Sequence, residues 1–475
     1  MKKVLLFLFI AAVYIKISVL TTGCANIIPP QGGDRDSLPP ALQKVTPGDS
    51  SRNFNSNKIE FEFDEFINDM ISAQQELLIS PIPKTMPTVT SKLRNLTVKW
   101  KDSLEANTTY TINFGNTIKD INESNVLKDF TYTFTTGSYF DSLELRGNVI
   151  LAETGKVDTT LIVMLHSNGD DSAVVNEKPR YVTRLDSKGN FHFKNLPAKT
   201  YYLYALKDDN RAYRYFGNKQ VFGFAAAPVV ISDTTNPVTL YAFGPAPAAA
   251  TGPALPVTAN AGGRRATVAS ADRRLRFSTN LVSNQQDLLN DFVMSFEQPL
   301  RKYDSTKVGL FTDSTYIPVK EYSFQKDSTG KQLKLVHTWK ESTTYHFIFD
   351  KEFAEDSAGK KLLKTDTLSF ATKRLSDYGQ LKIKFRNLDL AKNPVLIFLL
   401  NGNVTRSIPM NSAELVQPLF FPGDYELRIL YDDNKNGKWD PGEFFGKKKQ
   451  PELVKPVERK IIVKPNWENE FEIAL

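Results

Sequence analysis

Ile59-Glu60-Phe61-Glu62-Phe63-Asp64 decides the fold class. Apolar and acidic side chains alternate without a break, which is the period of a strand with one face in a core and one in water. Thr109-Tyr110-Thr111-Ile112-Asn113-Phe114 and Phe130-Thr131-Tyr132-Thr133-Phe134-Thr135 repeat the pattern, and Tyr425, Leu427 and Ile429 continue it far downstream. Val395 to Leu400 is an unbroken apolar run, suited to a central strand covered on both faces. No long 3.6-residue period competes with these signals. Only Gln74 to Ile79 and Asn284 to Asn290 are expected to form short helical turns. The reading is all-β.

The strands recur as a duplication. Leu96-Thr97-Val98-Lys99-Trp100 and the stretch Asn107 to Ile112 lead to Phe134-Thr135-Thr136. Leu333-Lys334-Leu335-Val336, then Trp339 and Ser342 to Phe347, lead to Phe370-Ala371-Thr372. The interval from tyrosine to closing phenylalanine is 24 residues in one copy and 25 in the other. A second pair follows. Tyr201 to Asn210 matches Tyr425 to Asn434, and Phe216-Gly217-Asn218-Lys219-Gln220 matches Phe445-Gly446 and the residues to Gln450. The chain therefore divides into modules A-B-A-B: 41–137, 138–243, 273–374 and 375–475. Residues 244–272, rich in Ala, Pro and Gly, read as an extended linker, and 24–40 as a stiff Pro/Gly tether.

The A modules resemble bacterial Ig-like domains of the S-layer-protein type. Pro39-Pro40, Val45-Thr46-Pro47, the Ile59 to Asp64 strand, Leu104 to Tyr110 and the closing Thr131 to Thr136 carry the likeness. The B modules resemble prealbumin-like sandwiches of the carboxypeptidase-regulatory type, through Leu185 to Pro197 and Tyr201 to Ala205. The resemblance implies tandem β-sandwiches, used in such families as spacers and adhesive units; neither family implies an active site.

Cys24 is the one cysteine in 475 residues. Lys2 and Lys3, the apolar run Val4 to Ile15, and Leu20-Thr21-Thr22-Gly23 precede it, the layout of a secretory leader spanning 1–23. The segment resembles a bacterial lipobox, with Thr21 where that family usually has leucine. It implies cleavage before Cys24 and acylation there, and an anchor of two or three chains holds a protein on a membrane. Cleavage after Ala25, or retention of Val4 to Leu20 as a helix, are the competing readings. The absence of aspartate just after Cys24 resembles outer-membrane sorting.

The formal charge of +7 is modest, and basic residues are mixed with acidic ones. Nucleic acid is not an expected partner. With Cys24 acylated there is no disulfide, so each module relies on its apolar core.

Asp432-Asp433-Asn434-Lys435-Asn436-Gly437-Lys438-Trp439-Asp440-Pro441-Gly442-Glu443 fits the calcium-loop pattern D-x-[DN]-x-[DN]-G-x5-E. Asp432, Asn434, Asn436, the Lys438 carbonyl, Asp440 and Glu443 would supply hard oxygens to Ca2+, with Gly437 making the sharp turn. A plain hairpin connection accounts equally well for the same residue types. The counterpart from Asp208 keeps the first positions and loses the rest, so it is not expected to bind the ion.

Catalytic constellations are absent from the sequence. His166, His192, His337 and His346 show no metal spacing, and no nucleophile elbow or phosphate loop occurs. Asp64-Glu65 gives no reason to be preferred over surface carboxylates. Lys447-Lys448-Lys449 reads as a solvated patch. The expectation is a non-enzymatic, membrane-anchored envelope lipoprotein with a structural, adhesive or protein-interaction role, meeting a protein or glycan partner. The alternative is a surface glycan-binding lipoprotein, using an exposed aromatic row drawn from Tyr201, Tyr202, Tyr204, Tyr213, Tyr215 and Phe216, or from Trp439, Phe444 and Phe445.

Overall fold

A computed structural model describes residues 2–20, 35–69, 77–245 and 274–475. Cys24, most of the tether and nearly all of the linker lie outside them. Apart from the helix Lys2–Leu20 and a few single turns, the secondary structure is strand. Val4 to Ile10 and Val13 to Ile15 of that helix are exposed. Among the described residues, no helix is long and apolar enough to cross a membrane.

Among the described residues the strands fall into four pairs of sheets and one two-stranded ribbon, Leu300–Tyr303 with Ala354–Asp356. Between residues 35 and 137, one sheet runs Leu42–Thr46, Lys58–Phe63, Asn95–Lys99, Thr88–Lys92, and the other Leu78–Ser80, Thr109–Asn113, Thr131–Thr135. The alternation in Lys58–Phe63 is realised in full: Ile59, Phe61 and Phe63 are completely buried, and the residues between them are exposed. Phe61 meets Phe114 and Tyr132 edge-on from the opposite sheet, with centroids 5.5 and 5.3 Å apart. Phe134 lies against Phe54 at 4.1 Å and stacks on Tyr110 at 5.4 Å. The outer edge of Thr131–Thr135 is not left open: Ser50 and Phe54 donate to Thr133 and Thr135 carbonyls, and Thr135 donates to Ser51.

The third pair repeats this strand order. Phe277–Thr279, Phe292–Phe296, Gln332–Val336 and Ser323–Lys326 form one sheet; Val308–Thr312, Thr344–Phe349 and Asp366–Thr372 are neighbours in the other. The second and fourth pairs share a different order. Each has a sheet whose first and last strands run parallel, Leu143–Leu151 with Val238–Ala242 and Gly379–Arg386 with Glu468–Ala474. Each faces a sheet with a common order, Tyr181–Arg184, Ile162–His166, Thr200–Leu206, Phe222–Phe224 in one and Asn403–Pro409, Pro394–Leu400, Gly423–Tyr431, Leu453–Val463 in the other. Pro394–Leu400 is central and largely buried, as its unbroken apolar run requires.

Of the two expected helical turns, Gln74 to Glu76 lie outside the described residues, and no helix forms over the rest. Leu78–Ser80 and Gln285–Gln286 are short strands. Each fills a gap beside a longer strand, pairing with Thr109–Asn113 and Asp366–Thr372 respectively. Tertiary pairing outweighs the weak local preference there.

The chain separates into two compact units. The first is Met1–Leu143 with Arg180–Val182 and Asn195–Pro197, and the second takes the remainder. Within the first, Arg180 clamps Glu105 through two bonds of 2.6 Å, the fork geometry that makes such pairs strong. Within the second, the buried Tyr378 hydroxyl donates to Asp287 at 2.5 Å and accepts from the Leu288 N–H at 2.8 Å. Lys373 pairs with the same Asp287 at 2.8 Å. Burial, then the bond to Asp287, pushes the Tyr378 hydroxyl well above the usual tyrosine range.

Phe134→Ala is expected to destabilise the first sandwich by about 3–5 kcal/mol, through lost burial and the cavity left among Phe54, Tyr110 and Trp100. Denaturant unfolding followed by tryptophan fluorescence checks it.

Candidate functional site

The loop after Gly423–Tyr431 is built on a buried carboxylate. Asp432 is 2% exposed. Its Oδ1 accepts from the Asn436 N–H at 3.2 Å and its Oδ2 from the Gly437 N–H at 2.6 Å. The chain turns twice through positive φ to bring those donors round, at Lys435 (63°) and Gly437 (74°). Glycine suits the second turn because it has no Cβ to strain there.

Asn434 and Asn436 lie over the same turn. The Asn434 side-chain oxygen accepts from the Asn436 N–H at 3.0 Å, and that of Asn436 from the Lys438 N–H at 2.7 Å. Both amide groups donate to Asp440 Oδ2, Asn436 at 2.7 Å. Asp432, Asn434, Asn436 and Asp440 thus share one oxygen-rich turn, with Lys438 on its rim. Glu443 does not join them. It is exposed and pairs with Lys447 at 2.9 Å, because residues 443 and 449 exchange backbone bonds and carry its side chain off the turn.

A different carboxylate closes the loop. Glu452, 2% exposed, accepts from the Asp433 and Asp440 N–H groups, each at 3.0 Å. Its own N–H donates to the Asp440 carbonyl, and its carbonyl accepts from the Trp439 indole at 2.8 Å. Burial first, then Asp440 and Asp432, raises the Glu452 carboxyl above its usual range. No motif covers a contact of this span. The one signal was the acid following Gln450-Pro451, just before a strand.

The earlier copy keeps the cap and drops the oxygens. Asp208 accepts from the Ala212 and Tyr213 N–H groups at 2.9 and 2.8 Å, the same i+4 and i+5 pattern, with positive φ at Arg211 and Tyr213.

The loop ends in Phe444 and Phe445, which meet the second sandwich. Phe444 is buried against Tyr204, Phe222 and Phe224, with centroids at 5.7, 5.2 and 5.2 Å, and Phe445 stacks on Tyr215 at 5.8 Å. Gln450 donates to the Phe224 carbonyl at 3.1 Å, and Val454 N–H to the Ala152 carbonyl at 2.8 Å. Lys448 pairs with Asp171 at 2.9 Å. Two lysines of the Lys447-Lys448-Lys449 run are thus held in ion pairs. Of the aromatic residues considered for a sugar-stacking row, Tyr201, Tyr204 and Tyr215 are buried; Phe216 is exposed.

The histidines serve packing. His192 pairs with Glu144 at 2.9 Å, His337 contacts the Glu321 carbonyl, and His346 contacts Ser369. His166 is buried with its edge on Tyr204, and its Nε2 has no partner. Burial pulls it down to about 4. Asp64 accepts from the Ala41 N–H, a structural bond. Among the described residues, no group of three or more His, Cys, Asp or Glu side chains is placed to hold a metal ion.

His166 makes a pH prediction. It is neutral in the fold and titrates near 6.5 when unfolded, so acid favours the unfolded chain. Stability is expected to fall by about 3 kcal/mol between pH 6.5 and about 4, and to level off below. His166→Leu should flatten that slope in urea titrations across the same range.

None of the curated proteins matches this chain. Among solved structures it is similar to an L,D-transpeptidase from Mycobacterium smegmatis, at 16% identity over 27% of this chain and 55% of that one, with a TM-score of 0.16. The chain thus spans about half that protein's length. It is also similar to the N-terminal part of the bacterial S-layer protein SbsC (15% identity, 43% of this chain, 44% of that one, TM-score 0.16). A third is the major pilin subunit of Bacillus cereus (8% identity, 70% and 98%, TM-score 0.16). By sequence, residues 36–136, the first sandwich, match the bacterial Ig-like domain family.

Proposed function

We propose that this chain is a lipid-anchored, non-enzymatic β-sandwich protein of a Gram-negative cell envelope, carried in the outer membrane. The observation that supports this best is Lys2–Leu20: an apolar helix with Leu5, Phe7, Phe9 and Tyr14 exposed, followed at Cys24 by the chain's one cysteine. Such a helix has no place in a soluble core and suits a leader delivered to a membrane. Acyl chains at Cys24 would supply the anchor. The sandwiches, of Ig-like kind in the first and third pairs and prealbumin-like kind in the second and fourth, would hold a protein or glycan partner through edges and loops. The strand-order repeat supports that pairing of kinds.

Calcium belongs to the same proposal. Asp432, Asn434, Asn436, Asp440 and the Lys438 carbonyl would hold the ion, and Glu443 would exchange Lys447 for it. The ion would brace a turn that its own N–H groups already cap.

Membrane fractionation of cells expressing Cys24→Ser tests the anchor. The variant is expected to leave the membrane fraction, and full retention would refute acylation. Calorimetry of the whole protein with CaCl2 tests the loop. Binding at about 0.1 to 1 mM is expected, abolished by Asp440→Ala. Absence of both heat and thermal shift at millimolar calcium would remove the ion from the account.

A further inference from the structure

We infer that the contact between the second and fourth sandwiches is a self-sufficient binding interface, strong enough to hold the two halves of the chain together without the covalent link between them. Its partners are about two hundred or more residues apart in sequence, and the covalent link between the halves runs through residues 246–273. The contact has the anatomy of a specific interface rather than a brushing of neighbours. One aromatic anchor, Phe444, is 5% exposed and surrounded by three rings of the second sandwich. Polar bonds flank it: Gln450 to the Phe224 carbonyl, Val454 N–H to the Ala152 carbonyl, and Lys448 to Asp171. The backbones also fit closely. A Cβ at Gly155 would sit 2.2 Å from Pro456 Cδ, and one at Gly442 2.6 Å from the Phe243 ring. Anchor, flanking bonds and close fit are the features that concentrate affinity.

The consequence is mechanical. The linker and the third sandwich form a loop closed by this contact. Load between the second and fourth sandwiches passes through the Phe444 plug.

The test cuts the link. A protease site is placed within 246–273 of the whole protein, the folded chain is cleaved, and the products are run on gel filtration with light scattering at micromolar concentration. The halves are expected to travel as one complex. Phe444→Asp should weaken it by roughly thirtyfold or more, the scale of a central aromatic anchor. Gly155→Asn should do the same from the other side, because asparagine tolerates the positive φ of that turn (66°) while its side chain wedges against Pro456. Circular dichroism confirms that each half stays folded, and if Phe444→Asp unfolds its sandwich, Gly155→Asn decides. Separation of the unmutated halves after cleavage, or a complex indifferent to Gly155→Asn, overturns the inference.

Discussion

A carboxylate with two backbone N–H groups in its grasp governs the loop that follows Gly423–Tyr431. Asp432 has left water, so its charge must be met by donors, and the N–H groups of Asn436 and Gly437 meet it. That demand forces the turn. The turn then brings Asp440 under Asn436, and Glu452 ties Asp433 and Asp440 to the strand that follows. Without this frame, Phe444 would stand on a free loop and pay the entropy of ordering each time it docked. With it, the ring is offered already in place.

The strands were legible because burial on one face leaves a period of two in the sequence. Ile59, Phe61 and Phe63 show it, and so does the duplication, since equivalent cores need equivalent residues at equivalent spacing. Short gap-filling strands were not legible. Leu78–Ser80 and Gln285–Gln286 are too brief to carry a period, and only the neighbouring strand makes them strands. The loop was half legible. Its local part, Asp432 to Asp440, follows from spacing along the chain. Spacing does not show that residues 443 and 449 bridge and pair the Glu443 side chain with Lys447. Glu452 and the Phe444 contact are long-range, and nothing local encodes their partners.

The second and fourth sandwiches share a strand order but present complementary shapes. In the second sandwich, Tyr204 pairs with Phe224 and Leu206 with Phe222. At the same register of the fourth, Arg428 pairs with Pro456 and Leu430 with Val454. The aromatic socket therefore exists in one copy alone. The plug is equally one-sided. Phe444 leaves its own sandwich, whereas Tyr215 of the earlier loop lies flat on Phe222 of its own sheet at 4.1 Å.

This asymmetry carries a hazard and its remedy. Plug and socket on different surfaces make a heterologous contact, the kind that propagates from molecule to molecule unless something closes it. Closure within one chain is the simplest stop. Covalent linkage in one chain sets an effective concentration in the millimolar range, well above what neighbouring molecules supply in dilute solution, so the socket is filled from its own chain first. The linker's composition then matters less than its length. It must let the fourth sandwich reach back past the third, and residues rich in Ala, Pro and Gly do that without offering an apolar face of their own for the socket to bind.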